Sequence, residues 1–352
     1  MRSVHGGDLV RAAIQLEVSS DQLLDASASL VPFMPRLSWR NLRRGLRDYP
    51  DRSQVSARQA LAAIHQLDPQ WLLLGNGAAE LFTWAARDAS ALGLNVSASP
   101  CFADYQRALA CWDASLKCFP LCLEWDGVFP QRFASPQQGS VLWICNPHNP
   151  TGQLWSRESL EPLLDQFDLV VCDEAFLPLV PNGEAQSLIP LVEDHPNLVV
   201  VRSLTKLYAI AGLRLGYAVA HPDRLAHWAA WRDPWPVNGI ALAAADQLLS
   251  SSERYQKWCQ RVHHWVEREG AWMQQRVSEL PGITPMPSAV NFFLIRGQQS
   301  LVSLRERVER HHGVLLRDCR SFEGLGENWL RIGLQDRRGN RRILKALKME
   351  LS

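Results

Sequence analysis

The sequence predicts an α/β protein in which a large domain, built on a mostly parallel sheet flanked by helices, precedes a smaller α/β domain. Three observations carry this reading. The middle of the chain alternates short apolar runs with amphipathic stretches, as buried strands alternate with the helices that cover them. From about Gly239 the texture changes to long helical periodicity followed by two more strand-like runs. The composition, 47% apolar and 21% charged over 352 residues, supplies enough apolar side chain to offset the entropy of ordering about two domains.

Taken in order, apolar runs at 72–74, 94–98, 141–145, 169–172, 198–201 and 215–220 predict strands. The stretches 78–90, 104–112 and 157–165 predict helices between them. The segment 234–238, Pro-Trp-Pro-Val-Asn, breaks the pattern and marks a boundary. Beyond it, apolar residues at three-to-four spacing over 240–279 predict one long helix ending before Pro281-Gly282. Runs at 290–295 and 330–334 predict strands of a second, smaller sheet, with a helix at 301–311 between them. The expected divisions are 1–40 as an N-terminal arm with a small-domain segment, 41–238 as the large domain and 239–352 as the small C-terminal domain.

Charge and cysteine usage exclude several function classes. Lys and Arg (37) nearly balance Asp and Glu (36), so no global field draws the chain to nucleic acid or an anionic membrane. No apolar run reaches the roughly 18 residues of a membrane span, and the first eight residues lack the apolar core of a signal peptide. A cytoplasmic protein is expected. The eight cysteines form no CxxC pair and no metal site, and are expected to be buried, reduced thiols. The pairs His263-His264 and His311-His312 lie in polar helical segments and are expected to be solvated, and most of the fourteen Trp to sit in core or interface.

The chemistry-bearing motifs all follow predicted strands, the edge at which open parallel sheets bind ligands. Strand 72–74 runs into Gly75-Asn-Gly-Ala-Ala-Glu80, and 141–145 into Asn146-Pro-His-Asn-Pro-Thr-Gly152. Strand 169–172 runs into Asp173-Glu-Ala-Phe176, and 198–201 into Arg202-Ser-Leu-Thr-Lys206 and on to Arg214. Taken singly, each has a plainer reading. The glycines could make a tight turn, Asn149-Pro-Thr-Gly152 could be turn punctuation, Asp173 an N-cap and Lys206 a surface charge. Together and in this order they ask for one ligand.

A pyridine aldehyde phosphate uses all four. Lys206 is an amine able to condense with the aldehyde. Asp173 can hold the ring nitrogen protonated, so that the ring withdraws electrons. Asn149 can donate to the ring oxygen. The amides of Gly77, Ala78 and Ala79 at a helix start, with Ser203, Thr205 and Arg214, suit the phosphate.

At these residues the chain resembles the aspartate-aminotransferase superfamily of pyridoxal-phosphate enzymes, fold type I. Its pattern N-P-x-N-P-T-G, D-E-A-[YF], S-x-T-K-x(7)-R is present in order, and the resemblance spans about 75–334. It implies pyridoxal 5'-phosphate as cofactor. It also implies Arg331 as ligand of the substrate α-carboxylate and Phe102 as the aromatic stacked on the ring. Tyr49 is implied to reach the cofactor phosphate of a neighbouring subunit, hence a homodimer. Phe176 departs from the tyrosine of many relatives, which leaves Asn149 as the main donor to the ring oxygen.

Two branches that act on phosphorylated amino compounds are the most similar: threonine-phosphate decarboxylases and histidinol-phosphate aminotransferases. The opening His5-Gly-Gly-Asp8, the Asp-Glu-Ala-Phe form, Pro234-Trp-Pro-Val-Asn238 and Arg317 fourteen residues before Arg331 resemble the decarboxylases. Asp8 replaces the asparagine of many of them. This likeness implies that His5, Gly6 and Arg317 meet the substrate phosphate, with Asn149 also contacting substrate. The plainer readings are a disordered tail for His5 and Gly6, and a solvated side chain for Arg317. The implied reaction is loss of CO2 from O-phospho-L-threonine to give the aminopropanol phosphate of the cobalamin side chain. The alternative is aminotransfer from histidinol phosphate, or a related compound, to 2-oxoglutarate. A catalytically dead binding module is disfavoured, since it has no use for an intact Lys206, Asp173, Asn149 and Arg214.

Overall fold

The computed structural model describes residues 6–134 and 139–352. At its centre lies a seven-stranded sheet with the spatial order Leu72–Asn76, Leu215–Ala220, Leu198–Ser203, Leu169–Asp173, Val141–Cys145, Asn95–Ser99 and Leu116–Pro120. Leu215–Ala220 runs antiparallel to both neighbours, and the other pairs are parallel. Every residue of the three strands 141–145, 169–173 and 198–203 is buried. Helices cover both faces, which is why these strands read as unbroken apolar runs rather than as alternation. Val141 and Trp143 pack into one apolar layer with Leu81, Phe82 and Ala85 of the helix Ala78–Ser90. Leu142 and Ile144 face the opposite layer, which includes Val262, Met273 and Val277 of the helix Ser252–Ser278.

A second, antiparallel sheet has the order Arg317–Asp318, Trp329–Gly333, Phe292–Gly297 and Ile283–Pro285. Beside it, Leu24–Asp25 pairs in parallel with Val314–Leu315, so the N-terminal segment is tied to the C-terminal part of the chain. The helix Val302–His312 connects the strands, as the periodicity predicts.

Several expectations are corrected. The single helix over 240–279 is two helices, Gly239–Leu248 and Ser252–Ser278. Ser251 makes the break, its hydroxyl accepting from the Arg254 N–H at 3.2 Å as an N-cap. The helix at 157–165 shrinks to Arg157–Leu160 and a 3₁₀ turn, since Pro162 has no N–H to continue it. Leu116–Pro120 was not predicted. It is an edge strand whose residues are half-buried or exposed, so it carries no apolar run.

Among the cysteines, Cys111 and Cys122 are exposed and Cys118 half-buried, against the expectation of eight buried thiols. Of the histidine pairs, His264 and His311 are exposed as expected, while His263 and His312 are half-buried. His311 and His312 both bond Glu350, at 2.9 and 3.0 Å, and His263 bonds the Pro178 carbonyl at 3.0 Å. Among the described residues, no helix is long and apolar enough to cross a membrane, and no three His, Cys, Asp or Glu side chains gather into a metal-binding group.

Candidate active site

The carboxyl ends of the central strands open into a cavity of about 330 Å³. The end of strand 169–173 places Asp173, 198–203 places Ser203, and the short helix Leu204–Tyr208 places Thr205 and Lys206. Asn149, Phe102, Ala78, Ala79 and Arg214 also line this space, as do Arg317 and Arg331 from the second sheet. Gly6 lines it too, so residues 325 positions apart in the chain, Gly6 and Arg331, share one cavity.

One end of the cavity is built for an anion. The helix Ala78–Ser90 begins after Gly77, whose φ of +73° and ψ of 171° suit glycine alone, and no side chain caps its first-turn amides. A Cβ on Gly77 would stand 2.6 Å from Nη2 of Arg214, so the guanidinium lies directly against the helix start. Arg214 itself holds φ at +55°. Uncapped amides, a guanidinium and the hydroxyls of Ser203 and Thr205 match a phosphate dianion.

The other end is built for a cation. Asp173 accepts the Tyr105 hydroxyl at 2.6 Å on Oδ2 and the Ala175 N–H at 2.9 Å on Oδ1. Burial raises this carboxyl to a pKa of about 6, against the lowering by the Tyr105 hydrogen bond. Lys206 lines the same cavity and feels charges from both ends. Burial, followed by the charges of Arg331 and Arg214, lowers its pKa to about 8, which makes the neutral, nucleophilic amine accessible near neutral pH. Its Nζ lies 5.4 Å from the centre of the Phe176 ring, which has no hydroxyl to offer. A phosphate cradle, an amine and a buried carboxylate in one cavity fit pyridoxal 5'-phosphate.

The remaining wall carries two arginines. Arg317 and Arg331 are direct cross-strand partners in the antiparallel pair, so both side chains leave the same face. They are only 4% and 6% exposed. Arg331 donates through Nη1 to Asn149 Oδ1 and through Nη2 to the Ser27 carbonyl at 2.9 Å, while Nε has no partner. Arg317 donates to Ser321 Oγ at 2.6 Å and lies over the Phe322 ring at 5.0 Å. Burial and then the charge of Arg317 bring Arg331 down to a pKa of about 10. Like charges placed directly opposite are destabilising, so this pair points to anionic groups of a ligand.

Sequence reasoning missed the segment Asp25–Ser29. Asp25 Oδ1 accepts from the Ser27 N–H, the Ser27 hydroxyl and the Ala28 N–H, at 2.8, 2.6 and 3.1 Å. The turn so formed puts Ser27, Ala28 and Ser29 on the cavity wall, and the buried Ser29 hydroxyl has no partner. Gly6 packs on Ser27 and lines the cavity beside Arg317, while His5 lies outside the described residues. Also missed was the brace under the site. Arg202, fully buried, binds Glu174 at 2.7 Å and Glu184 at 2.8 Å, locking the two strand ends that present Asp173 and Ser203. Tyr49 does not line this cavity. It is 80% exposed and stacks on Trp235 at 4.4 Å.

The profile of the aminotransferase class I and II family matches residues 14–347. The chain belongs to that family. A threonine-phosphate decarboxylase of Salmonella typhimurium is 34% identical to it, over 99% of this chain and 97% of the relative. A histidinol-phosphate aminotransferase of Symbiobacterium thermophilum is 32% identical, over 86% of this chain and 82% of the relative. The crystal structure of the Sinorhizobium meliloti histidinol-phosphate aminotransferase in complex with pyridoxal-5'-phosphate superposes with a TM-score of 0.81. It covers 98% of this chain and 94% of its own at 21% identity, a likeness of fold.

Proposed function

We propose that this chain is a pyridoxal-phosphate-dependent carboxy-lyase that converts O-phospho-L-threonine to (R)-1-amino-2-propanol O-phosphate and CO2, the linker precursor of cobalamin. The observation that carries the reading is the buried, cross-strand pair Arg317 and Arg331 opening on the Lys206 cavity. It matches a substrate with two separate anionic groups. The full-length likeness to the Salmonella decarboxylase supports the same substrate class. When bound, the cofactor supplies an electron-withdrawing ring that accepts the electrons of the bond broken at the substrate Cα.

The protein's own groups do the rest. Gly77, Ala78, Ala79, Ser203, Thr205 and Arg214 hold the cofactor phosphate. Asp173 holds a proton on the ring nitrogen, Phe102 packs on the ring face and Asn149 donates to the ring oxygen. Arg331 grips the α-carboxylate. Arg317, with Gly6 and His5 of the N-terminal segment, takes the substrate phosphate. Held at both ends, the substrate presents the Cα–carboxylate bond to the ring, and Lys206 Nζ returns a proton to Cα. The site is completed in a homodimer by Tyr49 of a second copy, whose exposure leaves it available for that contact. Sedimentation of the holoenzyme as a monomer would remove this part. The free cysteines fit work in the reducing cytoplasm.

A second reading, aminotransfer between histidinol phosphate and 2-oxoglutarate, is supported by the Symbiobacterium relative and uses the same cofactor groups. One experiment separates the two. The holoenzyme is incubated with O-phospho-L-threonine and CO2 is measured, and in parallel with histidinol phosphate plus 2-oxoglutarate while glutamate is measured. CO2 release with no glutamate is expected. Glutamate without CO2 would replace the first reading by the second.

A further inference from the structure

One buried titratable group at the site has no role in the chemistry described so far. Tyr105 is 1% exposed and its hydroxyl donates to Asp173 Oδ2 at 2.6 Å, a short bond of the charge-assisted kind. We propose that Tyr105 is a positioning residue that keeps Asp173 ionised and aims its carboxylate at the ring nitrogen of the bound cofactor. The inference rests on the reading that Asp173 faces that nitrogen.

The surroundings of Tyr105 are those of a fixed strut. Its ring stands edge-on to Phe82 at 5.2 Å and to Phe102 at 5.7 Å, and tilted against Trp143 at 5.4 Å. Trp143 is in turn fixed by its indole N–H, which donates to Asn95 Oδ1 at 2.9 Å. Phe102 is the N-cap of the helix Ala103–Ala110 and Tyr105 lies in its first turn. One helix start therefore sets both the aromatic that packs on the ring and the hydroxyl behind the carboxylate.

The direction of the effect follows from the groups facing Asp173. Besides Tyr105 on that helix, these are the Cys145 thiol on the adjacent strand, the Cys172 thiol on its own strand and Lys206 after the next one. Burial pushes both thiols upward, so they stay protonated at neutral pH and bring no charge. Burial disfavours the Asp173 anion, and the Tyr105 hydroxyl and the Ala175 N–H are the donors that oppose it. Burial and the Asp173 charge push the phenol well above its usual range, so it donates and does not ionise. A carboxylate with two or three donors gains roughly one pKa unit of stabilisation per donor. Removing one should cost the same.

The test uses Tyr105→Phe, Asp173→Asn and the double variant as holoenzymes, with circular dichroism as the check on folding. Tyr105→Phe should keep its cofactor, and the acid limbs of kcat and of the cofactor's visible absorbance should rise by about one pH unit. On an Asp173→Asn background the same change should add nothing. In cofactor-free protein, the carbon-13 titration of the Asp173 carboxyl, identified by its loss in Asp173→Asn, should rise by the same amount. Site-specific fluorination of Tyr105 strengthens the donor without altering the packing, and should lower that midpoint.

Unmoved titrations in Tyr105→Phe, or losses that multiply with those of Asp173→Asn, would mean that Tyr105 only packs. An unchanged absorbance and rate in Asp173→Asn would instead sink the assignment of Asp173 itself. The cofactor-free titration would still decide whether Tyr105 controls that carboxyl.

Discussion

Arg317 decides whether the cavity is a phosphate-selective site, and its removal gives the sharpest test of the proposed substrate. The guanidinium is held by the protein itself, bonded to Ser321 Oγ and lying over Phe322. Binding therefore costs little ordering of this side chain, and the contact should contribute its full worth. A hydrogen bond to a charged group is worth about 1.5–3 kcal/mol, or roughly 10- to 150-fold in affinity. Arg317→Met removes the charge and the guanidinium that lies over the Phe322 ring, while keeping an unbranched apolar side chain on this wall. Arg331, at a pKa of about 10, stays protonated at neutral pH with or without its neighbour, so its own bond to a carboxylate is kept.

The assay titrates the visible absorbance of the holoenzyme with O-phospho-L-threonine and, separately, with L-threonine. Arg317→Met should weaken the phosphorylated ligand by about 10- to 150-fold and leave threonine within about twofold, since threonine never made that contact. Arg331→Met should weaken both, because both carry the α-carboxylate. Equal loss of the two ligands in Arg317→Met would show that Arg317 supports the fold of this wall and that the phosphate lies elsewhere.

Three further changes test the cofactor end. Lys206→Ala should abolish turnover while equilibrium dialysis still finds cofactor bound through its phosphate; wild-type activity in this variant would remove the assignment of the amine. Gly77→Ala puts a Cβ 2.6 Å from the Arg214 guanidinium at a backbone angle suited to glycine, a strain on the order of 1–3 kcal/mol. Its cofactor affinity should drop by about tenfold or more in dialysis, and unchanged affinity would move the phosphate away from this helix. In cofactor-free protein Asp173 titrates near 6 folded against 3.8 unfolded, so the folded state binds more protons between those values and stability falls as pH rises through that window. The loss is about 3 kcal/mol. Urea unfolding at pH 4 and pH 7 should show it in the cofactor-free wild type and not in Asp173→Asn, and equal pH dependence in the two would refute the buried-carboxyl account.

The parts of this site that lie on the large sheet were readable because local rules produce them. Buried parallel strands end where apolar runs end, so Asn149, Asp173, Ser203 and Lys206 stand out as polar residues at the carboxyl edge. The break at Ser251 is equally local: three serines in a row, 250–252, interrupt the apolar periodicity, and Ser251 caps the second helix. What stayed hidden depends on contacts distant in the chain. Nothing near Ser27 says that its carbonyl will accept from Arg331, 304 residues later. Nor does the helix 103–110 announce that Tyr105 will meet a carboxylate on a strand 68 positions on. The edge strand 116–120 was missed for a different reason. A half-exposed strand buries too little to leave an apolar signature.

The two walls of the cavity divide the problem of reaction choice. The groups proposed to hold the cofactor come from the large sheet, and both proposed reactions call for the same ones. What differs is which bond at Cα is presented to the ring, and that is set by how the substrate's other groups are held. On the proposed reading the holding groups are Arg317, Arg331 and Gly6, which line the cavity from the second sheet and the segment that packs on it. The arrangement costs stability, because two guanidiniums are buried and face one another in register, and burial followed by the charge of Arg317 depresses the pKa of Arg331. A ligand with a carboxylate alone would meet one of the two guanidiniums. One that carries a phosphate at a fixed distance from its carboxylate would meet both, and in doing so be pinned at both ends. On the proposed reading, the charge repulsion that weakens this wall is also what selects the substrate and fixes its pose.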